Sequence, residues 1–367
     1  MFCFELTVKR RHSLHELVAY GRSACSQHVI ATQYASVGAD IGNAATDAEN
    51  LRLLNDIVGS KTTAGVDTIA EINTLASLAN AIQTQAAGGT PTPLLTEVNL
   101  ASLGLTGVTT DNLRAVLNAI AAQPDSGTGT DALSELQGVI DSAVTAYQSA
   151  LTAIQTAAQN NNATATNPTV AQYAALGVTG VSAQNLGAMN SALNDADITG
   201  TQANTSANVQ TLVDAYNTIL GTADGVPGNA ADPTQAQYEA VGVNGVDTAP
   251  ELSLLGEVID AKATTDVDTV PKVQALADAV QAVMNGNASQ AQLEALGVTG
   301  VTPDNLSTVQ AALAAAVDAT ELNTQAGVQA VIDNAVYGLA AIEAAAQNNS
   351  ATATSPSVAQ YQAVGVT

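Results

Sequence analysis

The chain of 367 residues has no tryptophan, its aromatic share is 3%, and histidine and cysteine vanish after residue 28. Each shortage excludes something. Few aromatics leave little to line a deep cofactor pocket or to stack nucleic-acid bases. A nucleophilic triad needs a base such as His beside Ser or Cys, and the three His (His12, His15, His28) lie in the first 28 residues. With Cys3 and Cys25 the only cysteines, disulfides cannot hold the rest of the chain together. Bases are scarce too: nine against 33 acids give a net charge of −24, which repels phosphate backbones and anionic lipid surfaces. No run of 18 or more apolar residues occurs, so no helical membrane span is expected.

The charge is uneven. Residues 1–31 carry Lys9, Arg10, Arg11 and Arg22 against Glu5 and Glu16, a net +2, so the remaining 336 residues hold −26. The basic cluster is not followed by an apolar core and a small-residue cleavage site, so it does not read as a secretory signal. This head is expected to be foreign to the rest of the chain and a candidate for disorder. A metal site on Cys3, Cys25, His12 and His15 is conceivable, but without a paired Cys-x-x-Cys or His-x-x-x-His an unstructured basic head is the expected reading.

What is abundant is repetition. Ala-Gln-Tyr-x-Ala-Leu/Val-Gly-Val stands at 171–178, 236–243 and 359–366, with Leu293 in place of Tyr at 291–298 and looser copies around Tyr34 and Leu100. Such self-similarity fixes the unit of folding. In the copy at 289–346, a short helix ends at Gly297, a tight Val-Thr-Gly-Val turn comes next, and Thr302-Pro303-Asp304 reads as a cap, proline and acid opening a second helix over 303–317. Val328, Val331, Ile332, Ala335, Leu339, Ile342 and Ala346 then place one apolar stripe on a third helix. The third helices share Gln-x-Leu/Val-x-Asp or a close variant at 137–141, 210–214, 274–278 and 329–333. Asn167-Pro168, Asp232-Pro233 and Ser355-Pro356 read as caps of first helices.

The fold class predicted is all-α: tandem three-helix bundles joined by short polar linkers. The divisions are the head (1–31), five repeats (32–90, 91–166, 167–231, 232–288 and 289–354) and the start of a sixth (355–367). The motif glycines Gly38, Gly104, Gly177, Gly242, Gly297 and Gly365 are spaced unevenly, by 66, 73, 65, 55 and 68 residues. Uneven spacing favours beads on linkers over a stacked solenoid, which needs a fixed repeat length. The structural positions expected to matter are Tyr34, Tyr173, Tyr238, Leu293 and Tyr361 as core anchors, and Gly104, Gly177, Gly242, Gly297 and Gly365 as helix terminators. A longer period is present: 157–173 returns almost unchanged at 345–361, and Val66-Asp67-Thr68-Ile69 returns as Val267-Asp268-Thr269-Val270. Duplication in blocks of three repeats would produce this, and the chain is expected to be a piece of a longer repetitive protein.

Chemistry is hard to find in these repeats. Gly-Val-Thr-Gly-Val at 177–181 and 297–301 lacks the Gly-Lys-Ser/Thr ending of a phosphate loop. Asn194-Asp195-Ala196-Asp197 and Asp266-Val267-Asp268 offer oxygens for calcium, yet neither has the Gly and distal Glu of an EF-hand loop. Caps and solvated charge are the expected reading, with calcium only a weak candidate and no other cofactor. Acids that recur as caps or on third helices do not suggest the paired carboxylates of a glycosidase.

Leu-Gly-Val-Thr-Gly-Val-Thr-Pro-Asp-Asn-Leu at 296–306 and Val-Asp-Thr-Val-Pro-Lys-Val-Gln-Ala-Leu-Ala-Asp at 267–278 resemble the helical repeats of giant bacterial surface adhesins. At lower specificity the repeats look like the small three-helix GA and FIVAR modules of such proteins. The resemblance implies export, attachment of one end to the cell envelope and a stalk that displays distal binding domains. The expected function is therefore a non-enzymatic structural or adhesive segment, extracellular or at the cell surface, with biofilm attachment the kind of role implied. The alternative is a module that captures a host or matrix protein, as some GA modules bind albumin; no albumin-contacting residue carries over. Protein or matrix ligands are the partners expected, nucleic acid is not, and the segment is expected to be monomeric.

Overall fold

Left-handed glycines punctuate the chain at nearly regular chemical, if not numerical, intervals. All six motif glycines have positive φ, between +75° and +99°, and so do the second glycines of the turns, Gly107, Gly180, Gly245 and Gly300. Glycine takes this conformation without the steric cost of a Cβ, which is why the motif stops a helix wherever it occurs. The computed structural model describes residues 29–124, 129–160, 166–229, 231–316, 321–348 and 354–366. The head therefore lies almost wholly outside the described residues, and with it Cys3, Cys25, His12 and His15.

Every regular element among the described residues is helical, and the only strand-like pairing among them is an isolated bridge between Asp224 and Ala263. The α-helices are α1 (Ala31–Val37), α2 (Ala48–Ser60), α3 (Ile69–Ala86), α4 (Glu97–Leu103), α5 (Leu113–Ala121), α6 (Leu133–Asn160), α7 (Val170–Ala175) and α8 (Leu186–Leu193). They continue as α9 (Ser206–Thr222), α10 (Gln235–Ala240), α11 (Ala249–Asp260), α12 (Val270–Met284), α13 (Gln290–Ala295), α14 (Leu306–Ala315), α15 (Gln325–Asn348) and α16 (Val358–Ala363). A short helix, a medium one and a long one succeed each other five times, and α16 is one more short helix. No described helix is long and apolar enough to cross a membrane.

Local caps set most boundaries, and they correct the Pro-marked starts: α7 begins at Val170 rather than directly after Asn167, and two other short helices shift in the same way. The helices α10 and α16 begin after Thr234 and Ser357, not at Asp232 and Ser355. In each, the hydroxyl accepts from the N3 backbone N–H while the N3 side chain (Gln237, Gln360) accepts from the cap residue's own N–H. This reciprocal box satisfies two otherwise orphaned donors, so it outcompetes the residue before proline. Likewise Thr302–Asn305 forms a turn of its own, and α14 starts three residues later than the proline suggested.

The chain divides into two compact units, residues 1–152 with 171–178, and residues 153–170 with 179–367. In the first, the buried side chains of both repeats join in one hydrophobic cluster, from Tyr34, Leu53 and Ile57 through Ile72 and Ile82 to Leu100, Ile120, Leu136 and Ile140. Separate beads would have separate cores. In the second, α9 packs on α10, α12 on α13, and α11 on α15, each a contact between different repeats. Inside each unit, then, neighbouring repeats share packing, which the beads-on-linkers expectation did not foresee. The uneven spacing is absorbed by loops such as 223–234 while the helices keep their contacts.

Candidate functional site

The chemistry that recurs is in the turn after each short helix. In four repeats the Gln of the third-helix motif reaches back to this turn: Gln137 to Thr106, Gln210 to Thr179, Gln274 to Asn244 and Gln329 to Thr299. Each side-chain oxygen accepts from the turn residue's N–H at 2.9 Å, and each side-chain NH2 donates to that same residue's carbonyl at 3.1 Å. The NH2 also donates to the carboxylate one helical turn on, Asp141, Asp214, Asp278 or Asp333, at 2.7 to 2.8 Å. A primary amide is the one side-chain head that offers donor and acceptor together in the geometry of a peptide, so Glu or Lys could not do this. The first repeat has a reduced version, in which Asn73 accepts from the N–H of Asp40.

A second amide closes the other side of the turn. Asn112, Asn185 and Asn305 accept from the N–H of Thr109, Ser182 and Thr302 and donate to the carbonyl of Gly107, Gly180 and Gly300. The N–H groups of Thr179, Ser182, Thr299 and Thr302 in these turns are thus bonded to protein amides. The valines between the glycines are buried, Val178, Val243 and Val298 among them. The recurrence of Gln and Asp at a fixed spacing of four, at 137–141, 210–214, 274–278 and 329–333, is the sequence signal of this clamp.

The expected anchors fall into two groups. Tyr34, Tyr173, Tyr238 and Leu293 are wholly buried, at 0 to 1% exposure, whereas Tyr361 on α16 is 40% exposed. Burial pushes the phenols of Tyr34, Tyr173 and Tyr238 far above their ordinary value, so they are neutral packing groups rather than acids. Tyr34 donates to Asn55 at 2.9 Å. The Tyr238 hydroxyl is buried without a hydrogen-bond partner. Gly104, Gly177, Gly242, Gly297 and Gly365 all take the left-handed conformation expected of them.

Contacts between repeats have rules as well. The first backbone N–H of a long helix is accepted by a side chain from the preceding repeat's medium helix: Leu133 by Asp56 at 2.6 Å, Val270 by Ser191 at 3.0 Å and Gln325 by Glu257 at 2.8 Å. These bonds supply a helix cap across the repeat boundary. Lys61 and Lys262, 201 residues apart, each donate at 2.6 Å to a carbonyl at the end of the next short helix, Ser102 and Ala295 respectively. A cation there also meets the negative end of the helix dipole. Both lysines are followed by a 3-10 turn, Thr63–Gly65 and Thr264–Asp266, so the longer sequence period is a period of structure.

The acidic stretches considered for calcium have other occupations. Asp268 pairs with Lys272 at 2.7 Å, and the same ammonium donates to the Thr265 carbonyl. Asp195 accepts from the N–H of Asp197, whose carboxylate accepts from Asn244 in the next repeat. Burial, and then the Asp197 charge, raise the Asp195 carboxyl above its usual range. Among the described residues no group of three or more His, Cys, Asp or Glu is placed to hold a metal ion. An open groove of about 660 Å³ between α14, α15 and α16 is lined by Ala312, Ala316, Tyr337 and Ala363, with Glu321 its single acid. No protein-family model, curated protein or solved structure matches the chain.

Proposed function

We propose that this chain is a non-enzymatic spacer: a stalk segment of a large repetitive bacterial protein, exported to the cell surface or secreted. In this reading each short, medium and long helix together form one three-helix module, and modules are added to gain reach. The observation that carries it is the reuse of one amide clamp in four repeats, joined to three caps that tie neighbouring repeats together inside a unit. Binding sites diversify between copies, whereas a part that must repeat its shape keeps the groups that fix its shape. The polar faces and the charge of −24 keep such a segment solvated and discourage self-association.

Capture of a host protein is the weaker reading. The large exposed apolar side chains, such as Leu94, Val98, Val226 and Tyr337, do not recur at equivalent positions from repeat to repeat, as a repeated docking patch would require. The spacer reading is tested by protease shaving of intact cells of the source organism. Release of repeat peptides before any cytoplasmic marker is expected; recovery of the chain only after lysis would overturn it.

A further inference from the structure

The loop between α9 and α10 carries an arrangement found at no other described repeat boundary. It folds onto the end of α11, where Asp260 is 3% exposed and its Oδ2 accepts from the Gly228 N–H of the loop. The backbone carbonyl of Asp260 accepts from the Gly225 N–H at 3.1 Å, and the Asp224–Ala263 bridge fastens the start of the loop beside it. The carboxylate is therefore turned into the loop, yet its Oδ1 is buried with no hydrogen-bond partner. A buried carboxyl oxygen left unpaired is costly, and such an atom calls for a partner that supplies positive charge.

A second carboxylate converges on the same place. Asp232, exposed at the rim, lies over Gly256, one helical turn before Asp260 on the same face of α11, in space that a Cβ at Gly256 would fill. Burial raises the Asp232 carboxyl above its usual range, and the charges of Asp260 and Glu257 raise it further. The bases nearest in sequence are turned elsewhere: Lys262 donates to Ala295, and Lys272 pairs with Asp268. Glu257 accepts from Gln325, and both oxygens of Asp224 hold the loop itself, through Val226 and Asn229.

We infer that Asp260 at the floor and Asp232 at the rim form a site for a hydrated calcium ion, which ties loop residues 224–229 to the end of α11. Two carboxylates with water filling the other positions suit calcium, which accepts six to eight oxygens in flexible geometry, better than magnesium, which demands a near-ideal octahedron. The negative end of the α11 dipole adds to the attraction. So few protein charges make a weak site, with a Kd of about 10⁻⁴ to 10⁻³ M, the range of extracellular calcium modules.

The experiment is a calorimetric titration of the whole chain with calcium chloride to about 10 mM at constant ionic strength, since the acidic surface also draws cations without specificity. Saturable one-site binding in that range is expected. Asp260→Asn and Asp232→Asn should each weaken it at least tenfold, while Asp304→Asn, in the turn before α14, should leave it unchanged. Asp232 is exposed, so its variant keeps the test valid if Asp260→Asn fails to fold. Absence of saturable binding, or equal binding by wild type and the Asp232 variant, overturns the site.

Discussion

At the scale of single residues, one motif position plays different parts according to what covers it. Tyr173 is fully buried and Tyr361, its counterpart 188 residues on, is 40% exposed, although the sequence around them is nearly the same. Tyr173→Ala is expected to cost about 3 kcal/mol, the loss of a large buried ring, and Tyr361→Ala less than about 1 kcal/mol. Urea unfolding of the two variants checks this, and equal losses would mean the burial difference is not real. The hydroxyls separate two other tyrosines. Tyr34→Phe removes a hydrogen bond to Asn55 and should cost about 1 kcal/mol, whereas Tyr238→Phe removes a buried hydroxyl with no partner and should be neutral or stabilising. A clear loss of stability in Tyr238→Phe would count against that environment.

Among elements, the informative unit is the turn with its clamp rather than any helix. Gln274 makes three hydrogen bonds, to the N–H and carbonyl of Asn244 and to Asp278. Gln274→Ala should cost about 1 to 2 kcal/mol, since these bonds are partly exposed and Ala repays a few tenths through helix propensity. Gln274→Glu should be worse at neutral pH, because it loses the donor to Asn244 and places a second carboxylate beside Asp278. That extra loss should shrink as the pH falls and the new carboxyl protonates; thermal melts at two pH values read it. The short helices and their terminal glycines were legible in sequence because helix termination by glycine is local chemistry, whereas the Pro-marked caps were read two residues early, at the residue before proline. The clamp was not, because Gln137 and Thr106 are 31 residues apart and the pairing exists only once the long helix lies against the turn.

For the whole molecule, charge is the term that conditions can move. Asp195 and Asp232 have folded pKa values raised by burial and neighbouring acids. A carboxyl with a raised folded pKa binds its proton more readily when folded, so stability increases as pH falls through that pKa, above the ordinary Asp value of about 3.9. Glu71, lowered by hydrogen bonds from Thr68, acts oppositely: its contribution is present above the usual Glu value and is lost as pH falls through its lowered pKa. With −24 charges repelling one another, the first effect should dominate on mild acidification. The melting temperature is expected to rise between about pH 7.5 and pH 5, and to rise with salt at neutral pH. A melting temperature that is flat or falls over that interval would show that self-repulsion is not a significant term.

The sequence alone determined the helical class, the repeat, the positions of the left-handed glycines and the burial of Tyr34, Tyr173, Tyr238 and Leu293, though not the exposure of Tyr361. All of these rest on interactions spanning a few residues, or on burial patterns that a periodic helix displays in one dimension. Only the tertiary structure decided that neighbouring repeats inside a unit are coupled. Asp56 caps a helix that begins 77 residues later, and Glu257 one that begins 68 residues later. A side chain that caps its own helix is marked by its place in the chain. One that caps its neighbour's helix carries no such mark, because the two are brought together by the packing of the helices between them.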